Sequence, residues 1–156
     1  MKNILITGGA GFIGSHVVDL LLSKNYKVVV IDNLSGGRLK NLKHHKNNKR
    51  LIFKKIDINK ISNNEKIFHN ISYVFHFAGI GDIVPSIEKP SNYMTTNVQG
   101  TVNVLEAARY SKVKKFIYAA SSSCYGINNH RTKENTKINP QHPYALSKYL
   151  GEEVAL

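Results

Sequence analysis

The chain has 156 residues, of which 42% are hydrophobic and 21% charged. That length reads as a single domain, residues 1–156, able to bury roughly 70% of the surface its unfolded chain exposes. The balance excludes global disorder, collagen and coiled coil, and no apolar run approaches the ~20 residues that span a bilayer. Lys and Arg number 22 against 10 Asp and Glu, a formal net charge of +12. Nine basic residues and one acid, Asp57, fall within 38–60. Such a stretch could meet nucleic acid or an anionic substrate. The excess is mostly Lys, however, and travels with Asn, as at Asn47-Asn48 and Asn63-Asn64. A coding bias explains that pattern, and Phe53 alone offers no stacking platform, so nucleic acid is not the expected partner. The single cysteine, Cys124, excludes an internal disulfide. With no signal-like or membrane-like segment at the N-terminus, it predicts a cytoplasmic protein.

Strand-like and helix-like segments alternate from the start. Residues 2–7 are a short Ile-rich run with a buried-strand pattern, ending in Gly8-Gly9-Ala10-Gly11. Phe12–Ser23 reads as a helix closed by Lys24 and Asn25, and 26–31 as a second strand. A turn at 33–37 leads into a polar, basic stretch reaching residue 50, which reads as a weak helix and a loop. Residues 51–58 read as a third strand, 59–69 as a short helix and 71–78 as a fourth strand. A loop over 79–90 precedes a long helix at 91–111, a fifth strand at 115–120 and a loop over 121–143. A last helix runs from Tyr144 to the final residue. This βαβ alternation predicts an α/β fold with a parallel sheet and right-handed crossovers, hence helices on both faces.

Gly9-Ala10-Gly11-Phe12-Ile13-Gly14 fits G-x-G-x-x-G, after a strand and opening a helix in the first βαβ unit. Glycines permit the tight turn, Gly11 lets backbone approach a pyrophosphate, and Gly14 lets helix and strand pack closely. The helix N-terminus offers free N–H groups to phosphate. Asp32 ends the second strand about twenty residues on, where a carboxylate accepts both ribose hydroxyls and repels a 2′-phosphate. NAD is therefore the expected cofactor, with Arg38 the one residue that could favour NADP. Tyr144 and Lys148, four apart on a helix, share a face, and a Lys ammonium beside a Tyr hydroxyl favours the phenolate. Tyr144 could then take a proton from a sugar hydroxyl while hydride leaves. Ser121, at a strand end where ligands of open α/β sheets bind, could share that hydroxyl.

The chain resembles the N-terminal half of an extended short-chain dehydrogenase/reductase of the NAD-dependent epimerase/dehydratase family. The stretches that carry the likeness are 7–14 (TGGAGFIG), 32–35 (DNLS), 76–79 (HFAG), 97–101 (NVQGT), 121–126 (SSSCYG) and 143–148 (PYALSK). The resemblance implies a Rossmann-type, doubly wound, three-layer α/β/α sandwich. It places Gly8, Gly11, Phe12, Ile13 and Gly14 at the pyrophosphate and Asp32, Asn33, Ser35 and Gly36 at the adenosine end. Asp57 and Ile58 would flank adenine, Phe77, Ala78 and Gly79 would line the ribose side, and Asn97 would lie beneath. Ser121, Tyr144 and Lys148 would be catalytic, with Lys148 also on the nicotinamide ribose. Ser86, Ser121, Ser122, Ser123 and Tyr144 would touch a nucleotide-sugar substrate.

Sugar 4,6-dehydratases of the family carry Asp-Glu just after the residue matching Ser121. Here Ser122 and Ser123 stand there, and neither can act as the acid that expels water. The implied reaction is C4 epimerisation of a UDP-sugar through a transient 4-keto sugar. A cofactor-binding module without catalysis is the alternative. Family members are much longer, so the last strands and most of the sugar site are expected to lie outside these 156 residues. The resemblance also implies a homodimer through helices 91–111 and 144–156. Cys124 reads as a small core residue, His76 as a satisfied core histidine and His44-His45 as solvated. No metal is expected.

Overall fold

The computed structural model describes residues 2–127 and 131–156. Five strands, β1 (Asn3–Thr7), β2 (Lys27–Asp32), β3 (Leu51–Lys55), β4 (Ile71–His76) and β5 (Lys115–Tyr118), form one parallel sheet ordered β3-β2-β1-β4-β5. The chain winds outward from β1 to β3, then crosses to the other side of β1 for β4 and β5. That reversal opens a crevice at the carboxyl ends of β1 and β4.

The sheet is buried on both faces at its centre, as its unbroken apolar strands require. Side chains alternate between two cores. Ile4, Ile6, Val28 and Val30 pack on one face with Val18, Leu21 and Leu22 of α1 (Phe12–Ser23). Leu5, Val29, Ile31 and Val74 pack on the other with Val104, Ala107 and Ala108. The last three belong to a helical run that continues from residue 90 to 110. Asn25, at φ 62°, ends α1, and the N–H groups of Asn25 and Tyr26 close back on the carbonyls of Leu22 and Leu21.

Several elements depart from the sequence reading. Residues 59–69 form two separate 3-10 turns, Ile58–Lys60 and Lys66–Phe68. Asp57 holds the first by accepting the Asn59 N–H at 2.9 Å, and the polar stretch between them has too little helix propensity to join them. The loop at 79–90 contains a short helix, α2 (Val84–Glu88). The long helix is α3 (Pro90–Tyr93), a π turn over Met94–Gln99, and α4 (Gly100–Tyr110). The final helix, α5 (Pro143–Glu153), stops short of the last residue. The weak helix expected in the basic stretch is present as a 3-10 helix, Leu39–His45, anchored in the core by Leu42. Among the described residues, no helix is long and apolar enough to cross a membrane.

Candidate active site

A groove runs along the carboxyl edge of the sheet as two adjoining cavities of about 470 and 350 Å³ that share Gly8, Gly11, Phe77, Gly79 and Ile80. The larger is bounded by Asp32, Asn33, Ser35, Gly36, Asp57 and Ile58. The smaller is bounded by Phe12, Ile13, Gly14, Ala120, Tyr144 and Lys148.

Glycine geometry shapes its floor. Gly8 has φ +68°, and a Cβ there would lie 2.6 Å from the Ala78 nitrogen. A Cβ on Gly14 would lie 2.3 Å from the Gly8 carbonyl oxygen, so α1 can start this close to the loop only through glycine. Gly11 caps α1 without a side-chain hydrogen bond, and the first turn holds no acid. The helix therefore points uncapped N–H groups and a partial positive charge at the groove, which is what a pyrophosphate needs. The Asp32 carboxylate is 7% exposed and accepts the N–H groups of Ala10 (3.0 Å) and Leu34 (2.8 Å). A carboxylate has about four acceptor sites, so two remain for ribose hydroxyls. Gly37 was missed by sequence reasoning. A Cβ on it would lie 2.7 Å from that carboxylate, and its signal was only the Gly36-Gly37 pair in the turn. These features fit a dinucleotide, and the buried, backbone-fixed Asp32 fits an unphosphorylated ribose.

At the other end, Tyr144 Oη donates to Ser121 Oγ at 3.4 Å. Such contacts are commonly long before substrate binds. Ser121 is fixed by accepting the Ser123 N–H at the head of the 3-10 turn Ser122–Tyr125. Tyr144 is aimed by its helix start: Pro143 occupies the first turn, and His142 Nδ1 accepts the Ala145 N–H at 3.1 Å as the cap. The His142 ring stacks on Tyr144 at 5.9 Å and Tyr93 meets it edge-on at 6.3 Å. Neither flanking ring was foreseen, because His is an unusual cap. Lys148 is 9% exposed with its Nζ 4.2 Å from the Tyr118 ring centroid. Burial pushes its pKa down to about 8, so at neutral pH it is a charged ammonium poised near its titration.

Beneath the groove lies a chain of buried hydrogen bonds whose direction is fixed by its ends. Thr101 donates to the Asn97 carbonyl at 2.7 Å, so its oxygen must accept from His76 Nε2 at 3.0 Å. His76 Nδ1 then accepts the Thr7 hydroxyl at 2.7 Å, and Thr7 Oγ1 accepts the Ala78 N–H at 3.1 Å. His76 is thus the satisfied core histidine expected. Burial, then the Lys148 charge, hold its pKa down to about 3. The Asn97 amide ties Ile80 (N–H at 2.8 Å, carbonyl at 3.0 Å) to Ser147 Oγ at 2.9 Å. Asn97 therefore braces the groove from below and does not line it.

The remaining serines lie less directly. Ser86 is fully buried with its hydroxyl donating to the Ile83 carbonyl, and Ser122 is exposed. Cys124 is buried, and burial raises its thiol pKa.

Strand order and glycine loop define a Rossmann-type dinucleotide-binding fold, with Tyr144 and Lys148 bordering one end of its groove. The NAD dependent epimerase/dehydratase family model matches residues 4–156, and the chain belongs to that family, whose cofactor is NAD. It is 38% identical over 151 residues to the UDP-glucose 4-epimerase of Mycolicibacterium smegmatis, covering 95% of this chain and 48% of the relative. The UDP-N-acetylglucosamine 4-epimerase of Methanobrevibacter ruminantium superimposes with a TM-score of 0.92 at 37% identity, over 98% of this chain and 49% of that one. The dTDP-glucose 4,6-dehydratase DesIV of Streptomyces venezuelae, solved with NAD, gives 0.93 at 33%, over 98% and 50%. The chain spans about half the length of the curated relatives it matches.

Proposed function

We propose that the chain forms the cofactor-binding and proton-transfer part of an NAD-dependent nucleotide-sugar 4-epimerase acting on a UDP-hexose or UDP-N-acetylhexosamine. The observation that carries this reading is the Tyr144–Ser121 pair at one end of a groove whose other end presents Asp32. Gly8, Gly11 and the α1 N–H groups hold the pyrophosphate. Asp32, Asn33, Ser35 and Gly36 hold the adenosine ribose, with Asp57 and Ile58 beside adenine. When bound, NAD supplies the hydride acceptor for the sugar carbon and later returns that hydride.

The protein's residues manage the proton. Tyr144 Oη removes the proton of the C4 hydroxyl as the C4–H bond breaks, leaving a 4-keto sugar. Ser121 Oγ holds the same oxygen, and the proton returns from Tyr144 once the other face has been presented. The buried Lys148 ammonium, four residues along the same helix face, borders the same cavity as Tyr144 and is placed to hold the nicotinamide ribose. Ser122 and Ser123 offer no carboxylic acid for expelling water from C6, which separates the reading from the dehydratase DesIV despite the common fold. The exposed Leu146, Leu150 and Val154 make an apolar stripe along α5, supporting pairing with a second copy.

The test is titration of the full chain with NADH by cofactor fluorescence, followed by NMR of UDP-galactose with NAD present. Saturable NADH binding is expected of these 156 residues, and conversion to UDP-glucose of the protein that also carries the sugar-binding remainder. Tyr144→Phe should keep the binding and slow conversion by about 10²–10⁴-fold. Binding with no turnover of any UDP-hexose would reduce the chain to a cofactor module. Turnover indifferent to Tyr144→Phe would remove Tyr144 from the chemistry.

A further inference from the structure

On the face of the molecule carrying α1, away from the groove's lining, two consecutive histidines converge on one carboxylate oxygen. His44 Nε2 lies 2.8 Å and His45 Nε2 2.7 Å from Asp19 Oδ1. The imidazole rings stand 4.1 Å apart, tilted by 45°. Ligand atoms from all three residues lie within 4.8 Å of one another. Successive side chains of a 3-10 helix diverge by about 120°, so convergence of neighbours on one atom is a specific arrangement. His44 is solvent-exposed as read, at 56%, whereas the His45 side chain is only 18% exposed, which corrects that half of the reading.

We propose that Asp19, His44 and His45 bind one divalent transition-metal ion of the zinc class. Two imidazoles and a carboxylate are a zinc donor set, leaving a fourth position for water. Ligands about 2.0–2.1 Å from a tetrahedral zinc stand roughly 3.3 Å apart, so each N···O pair must open by about half an ångström. The side chains can do this, because Asp19 and His44 are 39% and 56% exposed. Lys43 and Lys46 flank the histidines in sequence. Their charge disfavours a loosely held hard cation such as calcium or magnesium, whereas directional imidazole bonds to zinc tolerate it.

The ion would tie the 3-10 helix Leu39–His45 to α1. The start of that segment already reaches the glycine loop: the Arg38 N–H (2.9 Å) and Asn41 Nδ2 (2.9 Å) both donate to the Ala10 carbonyl. The ion is thus placed as a structural clip beside the cofactor end of the fold, with no part in the chemistry.

The test is calorimetric titration of the full chain with zinc chloride in a non-chelating buffer, repeated with cobalt(II) to read d–d absorption. Expected are saturation at one ion per chain and a cobalt band of tetrahedral intensity. Asp19→Asn and His44→Gln, each checked by circular dichroism, should weaken binding at least about tenfold, the lower range seen even for partners behind the ligands. His69→Gln, an exposed histidine elsewhere, should leave the affinity unchanged. Equal affinity in wild type and both ligand variants, a tenfold loss in His69→Gln, or an unchanged aqueous cobalt spectrum would overturn the proposal.

Discussion

Lowering the pH from 7 to 5 should remove about 2 kcal/mol of folding stability through His76 alone. In the unfolded chain this histidine titrates near its ordinary pKa of about 6.5. In the native chain burial and the Lys148 charge hold it down to about 3. Its Nδ1 already accepts from Thr7, and its Nε2–H is already given to Thr101, so a second ring proton has no partner. Between the two values the unfolded state binds the extra proton and the native state does not. Stability is therefore intact above about pH 6.5 and falls as pH drops towards 3. Each unit costs about 1.4 kcal/mol, and 1.5 units separate 6.5 from 5. With a urea slope of about 1–3 kcal/mol per molar, the midpoint should fall by roughly 0.7–2 M. The assay is urea unfolding at pH 7 and pH 5 for wild type and His76→Gln. The amide can replace one donor and one acceptor without titrating, so the variant's baseline should drop by about 1–3 kcal/mol while its pH slope flattens. The difference between the two slopes isolates His76 from the other histidines. Equal slopes in the two proteins would refute the buried neutral tautomer.

Lys148 works in a separate window. Its pKa is about 8 against an ordinary 10.5, so the unfolded chain binds more protons between those values and stability should rise with pH there; an NMR titration of its ε-carbon should give a midpoint near 8. Gly151→Ala would set a Cβ 2.3 Å from Tyr118 Oη and 2.8 Å from the Asn97 carbonyl oxygen. Overpacking of this kind costs about 1–3 kcal/mol, and calorimetry should show a lower unfolding temperature. Gly37→Ala should weaken NADH binding by about tenfold or more in a fluorescence titration, since its Cβ would crowd the Asp32 carboxylate.

The sheet was legible because its strands are short, apolar and separated by distinct punctuation. Gly8-Gly9 ends β1, Asn25 ends α1, and Val28-Val29-Val30 permits no other reading. The glycine loop was legible for the same reason: its chemistry is a local property of residue type and spacing. The π turn was not. Residues 91–111 have an ordinary helical pattern, and the insertion depends on contacts distant in sequence. Gly100 must approach Ile58, and the Asn97 carbonyl must approach Gly151. His142 was hidden because its role depends on which ring nitrogen faces Ala145. The His44-His45 pair was hidden because Asp19 lies 25 residues away and nothing in the spacing points to it.

Asn97 joins the two ends of the site. Its side chain holds Ile80 and Ser147, and Ser147 in turn donates to the Tyr144 carbonyl at 2.8 Å. Its backbone carbonyl takes the Thr101 hydroxyl, from which the chain runs through His76 and Thr7 to Ala78. The Gly8 backbone, beside Thr7, lies close enough to Ala78 that a Cβ would clash. A single path of buried, directional bonds therefore connects the start of α5, which aims Tyr144, to the floor beneath the glycine loop. Neutral amide and hydroxyl groups keep that path intact as Lys148 gains or loses its proton, whereas a charged His76 would have no partner for the extra hydrogen. This explains why a buried histidine is tolerated at the carboxyl end of β4. Held as a single tautomer it is a donor on one side and an acceptor on the other, and a buried polar chain is favourable only when every member is satisfied.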